Sequence, residues 1–240
     1  MSKLKVNTLE SSTTSTVAMG VAQTFDLAAG TTTTAPLEFA SGSFLTSSTA
    51  GAYEYNGQIF TSSPVALKRG LSPSTMLRYN TATTTITDTA TTLQNWLGTV
   101  NLSVAASTAY RFKGFFAMSR AAGVVSHTVN LGFGGTATLT AINYFSTTTT
   151  TTGGNAVTNA RSLYIATASS TAVTAASIVA TENNVVFMEG VVQINGAGTF
   201  IPQVAFSAAP GGAGTIAVGA YFEITPIGVN NATINIGDWA

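Results

Sequence analysis

The chain has no cysteine, one histidine, six prolines and little charge: nine Lys and Arg against nine Asp and Glu, 8% of its 240 residues. Each shortage excludes something. Without cysteine there is no disulfide framework and no thiolate-ligated zinc or iron–sulfur centre. No two acidic residues lie within two positions of each other, so Asp-x-Asp calcium loops are missing, as is any His-rich tract. Calcium held by distant carboxylates and backbone carbonyls stays open. A net charge of zero rules out a basic nucleic-acid surface, which needs clustered Lys and Arg. The charge-free stretch 190–222 is broken by Gln193, Asn195, Pro202, Gln203, Pro210 and glycines, so no membrane insertion is expected. Met1-Ser2-Lys3-Leu4-Lys5-Val6 has no apolar segment behind its lysines, so a secretory signal is not expected either.

What is present is apolar and uncharged at once. Apolar residues make up 45% of the chain, mean hydropathy is +0.33, and there are 42 threonines. That is too apolar for a disordered chain. Threonine favours strands through its branched Cβ and tolerates exposure through its hydroxyl. An isolated monomer uses charge for solubility and to guard its sheet edges. So few charges therefore imply that much of the surface is covered in an assembly.

The chain changes character near residue 65. Residues 1–62 hold short apolar pairs between Ser/Thr/Gly/Ala runs, with nothing long enough to close a core alone. Ala52-Tyr53-Glu54-Tyr55, Asn56-Gly57 and Gln58-Ile59-Phe60-Thr61 read as a hairpin with a type I′ turn. Residues 66–98, with Lys68, Arg69, Gly70 and Pro73, read as a linker or strap. Helical periodicity is scarce, and its best stretch, 89–97, is short and Thr-rich. From residue 99 the alternation is that of strands. Tyr110, Phe112, Phe116 and Met118 share one face, with Arg111 and Lys113 on the other. Val125, His127, Val129, Leu131 and Phe133 form a second apolar row. Strands are expected at 136–145, 161–168, 184–194, 199–206 and 215–225. In the last, Ile216, Val218, Ala220, Phe222 and Ile224 point inward and Thr215, Tyr221, Glu223 and Thr225 outward. A final short strand would hold Ile234 and Ile236. Thr147–Thr152 with Gly153-Gly154 reads as a low-complexity loop. The expectation is an all-β protein: a short extended and hairpin N-terminal segment, then an antiparallel, jelly-roll-like β-sandwich over 99–240.

No catalytic constellation emerges, so no enzyme and no cofactor are expected. A Ser-His-Asp triad could use His127 alone, and its place on an apolar face suits a hydrogen-bonded core or interface histidine better. Paired carboxylates for sugar hydrolysis could draw on Glu182, Glu189, Glu223 or Asp238, of which Glu189 and Glu223 sit in strands that could be neighbours. Gly132–Gly135 and Gly211–Gly214 lack the Lys-Ser/Thr and the helix of a phosphate loop and read as turns. The basic groups Lys68, Arg69, Arg78 and Arg111, Lys113, Arg120 fit either grips on neighbouring subunits or solvated charge.

One stretch carries a pattern. Leu27-Ala28-Ala29-Gly30-Thr31, Ala35-Pro36-Leu37-Glu38-Phe39-Ala40-Ser41-Gly42, Leu45-Thr46 and Ala50 to Thr61, containing Ala52-Tyr53-Glu54-Tyr55-Asn56-Gly57, follow one another with short gaps. This run resembles a module of tailed-bacteriophage fibre and appendage proteins, L-x-A-G-T, A-P-L-x-F-x-S-G, L-T, A-G-A-x-E-Y-x-G, F-x-T. It covers about one seventh of the chain. Lys3-Leu4-Lys5-Val6-Asn7-Thr8-Leu9 is similar to the K-V-N-T-I start of many phage fibres, with Leu9 for Ile. The resemblance implies a virion structural protein assembled in the host cytoplasm. It would be a homotrimer forming a short fibre-like appendage on tail or head. Its contacts would be capsid, portal, tail or adaptor proteins, with a host-surface glycan or protein as a further partner. A purely architectural capsid decoration, cement or tail-junction adaptor is the alternative. On this reading residues 1–25 are an attachment arm using Lys3, Leu4, Val6 and Leu9. Residues 26–65 are the trimerisation module, with Leu37, Phe39, Leu45, Tyr53, Tyr55 and Phe60 buried between copies. The loops 147–154 and 207–214 are the exposed contact sites.

Overall fold

The computed structural model describes residues 27, 29–99, 101–152, 157–233 and 236. Lys3, Leu4, Val6, Leu9, Ile234 and Asp238 lie outside them. The chain divides into two compact units, 1–40 and 41–240, so the boundary falls inside the segment matched to the fibre module. In the first unit, 29–40 is irregular and exposed. It carries one turn, in which the Thr31 N–H donates to the Thr34 carbonyl at 2.9 Å and Thr31 Oγ1 accepts the amides of Thr33 and Thr34.

The second unit is all-β and antiparallel, with no helix among the described residues. It opens with a three-stranded sheet of β1 (Tyr53–Tyr55), β2 (Phe60–Val65) and β3 (Lys68–Ser72). The hairpin stands where the Asn-Gly pair places it, but its turn is shifted by one residue. The Asn56 N–H bonds the Ile59 carbonyl, so Gly57 and Gln58 are central and only Gly57 has positive φ, +92°. This is the pattern of a type II′ turn rather than I′. Asn56 serves the turn through its side chain, with Oδ1 accepting the amides of Gln58 and Ile59 at 3.0 and 2.9 Å.

Two larger sheets follow. One has eight strands: β4 (Met76–Tyr79), β5 (Thr84–Ile86), β8 (Thr108–Arg120), β10 (Thr138–Thr152), β11 (Val157–Ile165), β13 (Glu182–Gly196), β15 (Gly214–Ile216) and β16 (Tyr221–Val229). Its spine is β11-β10-β13-β8. The far edge of β8 is shared, β16 pairing along Thr108–Phe115 and β15 at Met118 and Ser119. The other sheet holds β6 (Gln94–Asn95), β7 (Leu102–Val104), β9 (Val129–Gly134), β12 (Thr171–Ala172) and β14 (Gly198–Phe206). Their inner faces meet in one sandwich core. Phe112, Tyr144 and Phe222 of the first sheet interlock with Phe133 and Phe200 of the second at ring separations of 4.8–6.3 Å. Each large side chain so buried contributes about 1.5–3 kcal/mol. The alternation expected on β8 holds, with Tyr110, Phe112, Phe116 and Met118 buried and Arg111 and Lys113 facing out.

Several expectations are corrected, among them Thr225, which is buried rather than outward. A linker over 66–98 would leave its apolar residues in water, yet this segment forms β3 to β6 and buries Ile86 and Trp96 completely. The threonine run is no loop. It extends β10, pairs with both β11 and β13, and buries Thr148 and Thr150. Branched Cβ atoms suit the pleat, and two flanking strands satisfy its backbone. The regular row from Ile216 to Ile224 is two strands, broken at Gly219 (φ +95°), which leaves Val218 exposed. Val125 is likewise exposed, because its row becomes a ladder only at Val129. Ile236 is not in a strand.

Candidate interaction surfaces

The small sheet is built inside out. Register places Tyr53 and Tyr55 beside Ser62 and Phe60 on one face, and Glu54 beside Thr61 on the other. Thr61 and Ser63 are the buried residues of β2, whereas Tyr53 is 46% exposed and Tyr55 and Phe60 are half-buried. The three rings stack on one another, Tyr55–Phe60 at 4.4 Å and Tyr53–Phe60 at 5.6 Å. A sheet folding for itself alone would put rings inside and hydroxyls outside.

Glu54 and Arg69 hold this arrangement rigid. Glu54 accepts from Arg69 Nε at 2.9 Å and from the Leu45 N–H at 2.7 Å. Arg69 also donates to the Leu45 carbonyl and lies over the Phe44 ring at 5.0 Å. Burial raises the Glu54 pKa, but the Leu45 amide and the Arg69 guanidinium outweigh it and hold the carboxyl below its ordinary value. Of the residues expected between copies, Tyr53, Tyr55 and Phe60 are thus brought together. The Leu45 backbone is pinned beside them with its side chain exposed. Leu37 and Phe39 are exposed in the other unit.

A second surface was not expected from the sequence. On the outer face of the eight-stranded sheet, register aligns Phe187, Phe115, Tyr221 and Tyr79 across four neighbouring strands. The adjoining row runs Tyr164, Phe145, Glu189, Lys113, Glu223 and Leu77. Tyr164 is 72% and Tyr79 51% exposed, and Phe115 stacks on Tyr221 at 6.1 Å. Contiguous apolar patches of this kind mark interaction sites. The outward parity of Arg111 and Lys113 was legible and extends to Phe115. The cross-strand alignment was not, because it depends on pairing between distant segments. Glu189 and Glu223 are not neighbours but flank Lys113, with 3.6 Å between Lys113 Nζ and Glu189, so no water-filled gap separates a pair of carboxylates.

The acidic and basic residues also build an internal cluster. Arg120 and Glu182 close a fully buried ion pair at 3.1 Å, joined by His127 Nε2 at 3.4 Å from the same carboxylate oxygen. Asn184 donates to the other oxygen at 2.7 Å and itself accepts from the Thr150 hydroxyl. Arg120 further donates to the carbonyls of Ala122, Gly123 and Val179. Burial pushes the Glu182 pKa up; the close approach of His127 and the hydrogen bonds from Asn184 and Arg120 prevail and hold it at about 2. His127 Nδ1 lies 2.9 Å from the Val125 carbonyl, so both ring nitrogens face acceptors inside the protein. It fits the core-histidine reading and is closed to substrate. Arg120 is neither a grip on a neighbour nor solvated charge. Among the described residues, no group of three His, Asp or Glu is placed to hold a metal ion.

Comparison with models of known families and with curated proteins gives no match.

Proposed function

We propose that the protein is a structural component of a bacteriophage particle, a homotrimer forming a short fibre-like appendage on tail or head. Its 26–65 segment is the trimerisation module and its sandwich a jelly roll. The inverted small sheet supports the reading: its stacked rings Tyr53, Tyr55 and Phe60 lie on the face opposite the buried Thr61 and Ser63, and Tyr53 is half in solvent. Support comes also from the resemblance of residues 27–61 to the fibre module and from the aromatic rows on the outer face. That face carries Glu189 and Glu223 on either side of Lys113, with Arg111 two residues away, so its charges balance and a second copy suits it better than a strongly charged partner. Capsid, portal or tail proteins, and a host-surface glycan or protein, are the further partners.

Sedimentation equilibrium tests the assembly. The full chain is expected at three times 24.4 kDa, and Phe60→Asp at the mass of one chain, since a charge in a dry contact is costly. A wild-type monomer, or a trimer unmoved by Phe60→Asp, would sink the shared-core argument. Host-cell binding by the purified protein supports surface contact. Absence of binding, together with fragile particles when the protein is removed, supports a purely architectural cement.

A further inference from the structure

We propose that a groove beside β4 binds an acidic saccharide through Arg78, an inference that rests on the host-contact part of the reading above. β4 is an edge strand: it pairs with β16 on one side only. Two hollows of about 270 and 240 Å³ open beside it and share two walls, Arg78 and Leu97. Together they fall in the range of small-ligand sites, about 300–1,000 Å³.

The two halves differ in chemistry. The floor of the first is apolar, formed by Met76, Leu102, Phe200, Pro202 and Phe222, with Asn101 at its margin. The second is lined by hydroxyls and an amide: Asn80, Thr81, Thr83, Thr84 and Thr99. Asn80 uses its amide N–H groups on Thr84 Oγ1 and the Trp96 carbonyl, and its Oδ1 takes no bond from any described residue. Arg78 stands between the halves, exposed, with no ion pair or hydrogen bond to any described residue. Arg69, Lys113 and Arg120, by contrast, are each paired with a carboxylate of the chain.

A ligand satisfying all three parts needs a planar oxyanion for the guanidinium fork, a C–H face for the floor and hydroxyls for the rim. A uronic or sialic acid residue has all three. A fatty acid would match the floor and Arg78 but leave the threonine rim unused, and a free phosphate would match Arg78 alone.

The test is surface plasmon resonance on the full chain, with polygalacturonate and polysialic acid as probes, dextran as the neutral comparator and dodecanoate as the apolar acid. Saturable binding of an acidic polymer is expected, with none to dextran, weakening as salt is added. Arg78→Ala should lower the affinity tenfold or more, and Arg78→Lys less, since it keeps the charge and loses the fork. The Arg78 side chain bonds no described residue, so both variants should melt like the wild type. Failure of both acidic polymers to bind, equal binding of dextran, binding of dodecanoate alone, or an unchanged affinity in Arg78→Ala overturns the proposal. Sedimentation of the same sample separates the two claims. A trimer that binds no acidic saccharide overturns the groove alone, and a monomer overturns the assembly reading.

Discussion

Glu182 shows how a few charges act when a chain has so few. It is deeply buried, yet three side chains donate to it or pair with it, so it is ionised inside the protein. Removing one member of such a cluster leaves the others buried and unpaired, at a cost of about 3–5 kcal/mol. Glu182→Gln is expected to lose that much in urea unfolding. The sign of the pH effect follows from the lowered pKa. An unfolded glutamate titrates near about 4.3, so the stabilisation is complete above that pH and disappears as pH falls toward about 2. Melting temperature measured from pH 6 to pH 2 should drop more steeply for the wild type than for Glu182→Gln. A residual slope from Glu54 should remain in both. Two neighbouring threonines separate bonded from unbonded hydroxyls. The Thr148 hydroxyl is buried without a partner among the described residues, whereas Thr150 donates to Asn184 within the Glu182 cluster. Thr148→Val should be neutral or stabilising, and Thr150→Val should cost about 1–3 kcal/mol in the same assay.

At the scale of the element, packing decides where periodicity is silent. β8 was legible because its apolar residues alternate cleanly, and so was the presence of the 53–61 hairpin. The threonine end of β10 was not, since a run of one residue type has no alternation. Its two faces become different only when β13 and the second sheet bury one of them. The break at Gly219 was hidden by an apolar row that happens to continue through a turn. β4 and β5 escaped for another reason: their partners, β16 and β15, lie far along the chain, so nothing local announces them. The Arg120–Glu182 pair, 62 residues apart, was invisible for the same reason. Gly190 marks a close approach that only the fold reveals. A Cβ there would meet the Asn143 carbonyl and the Tyr144 backbone of β10, with Tyr144 Cα at 2.6 Å. Gly190→Ala is therefore expected to cost about 1–3 kcal/mol, read as a lowered melting temperature.

At the scale of the molecule, two adjacent phenylalanines report different events. Phe116 is fully buried and lies 4.9 Å from the Trp96 ring, whereas Phe115 belongs to the outer aromatic row. Phe116→Asp should abolish the cooperative melt. Phe115→Asp should keep the fold and shift sedimentation toward the single chain. The segment that carries β4 and β5 also bears on the order of events during synthesis. Thr75 and Thr225, whose hydroxyls bond at 2.8 Å, are 150 residues apart. At about 5–20 residues per second, a ribosome needs roughly 8–30 s to make the chain between them. Through most of that interval β4 and β5 have no partner strand, because β16 and β15 come last in the chain. Pairing over such distances is also slow in itself. Nascent chains side by side on one message therefore present uncovered Tyr79, Ile86 and Trp96 to each other before any of them has a finished core.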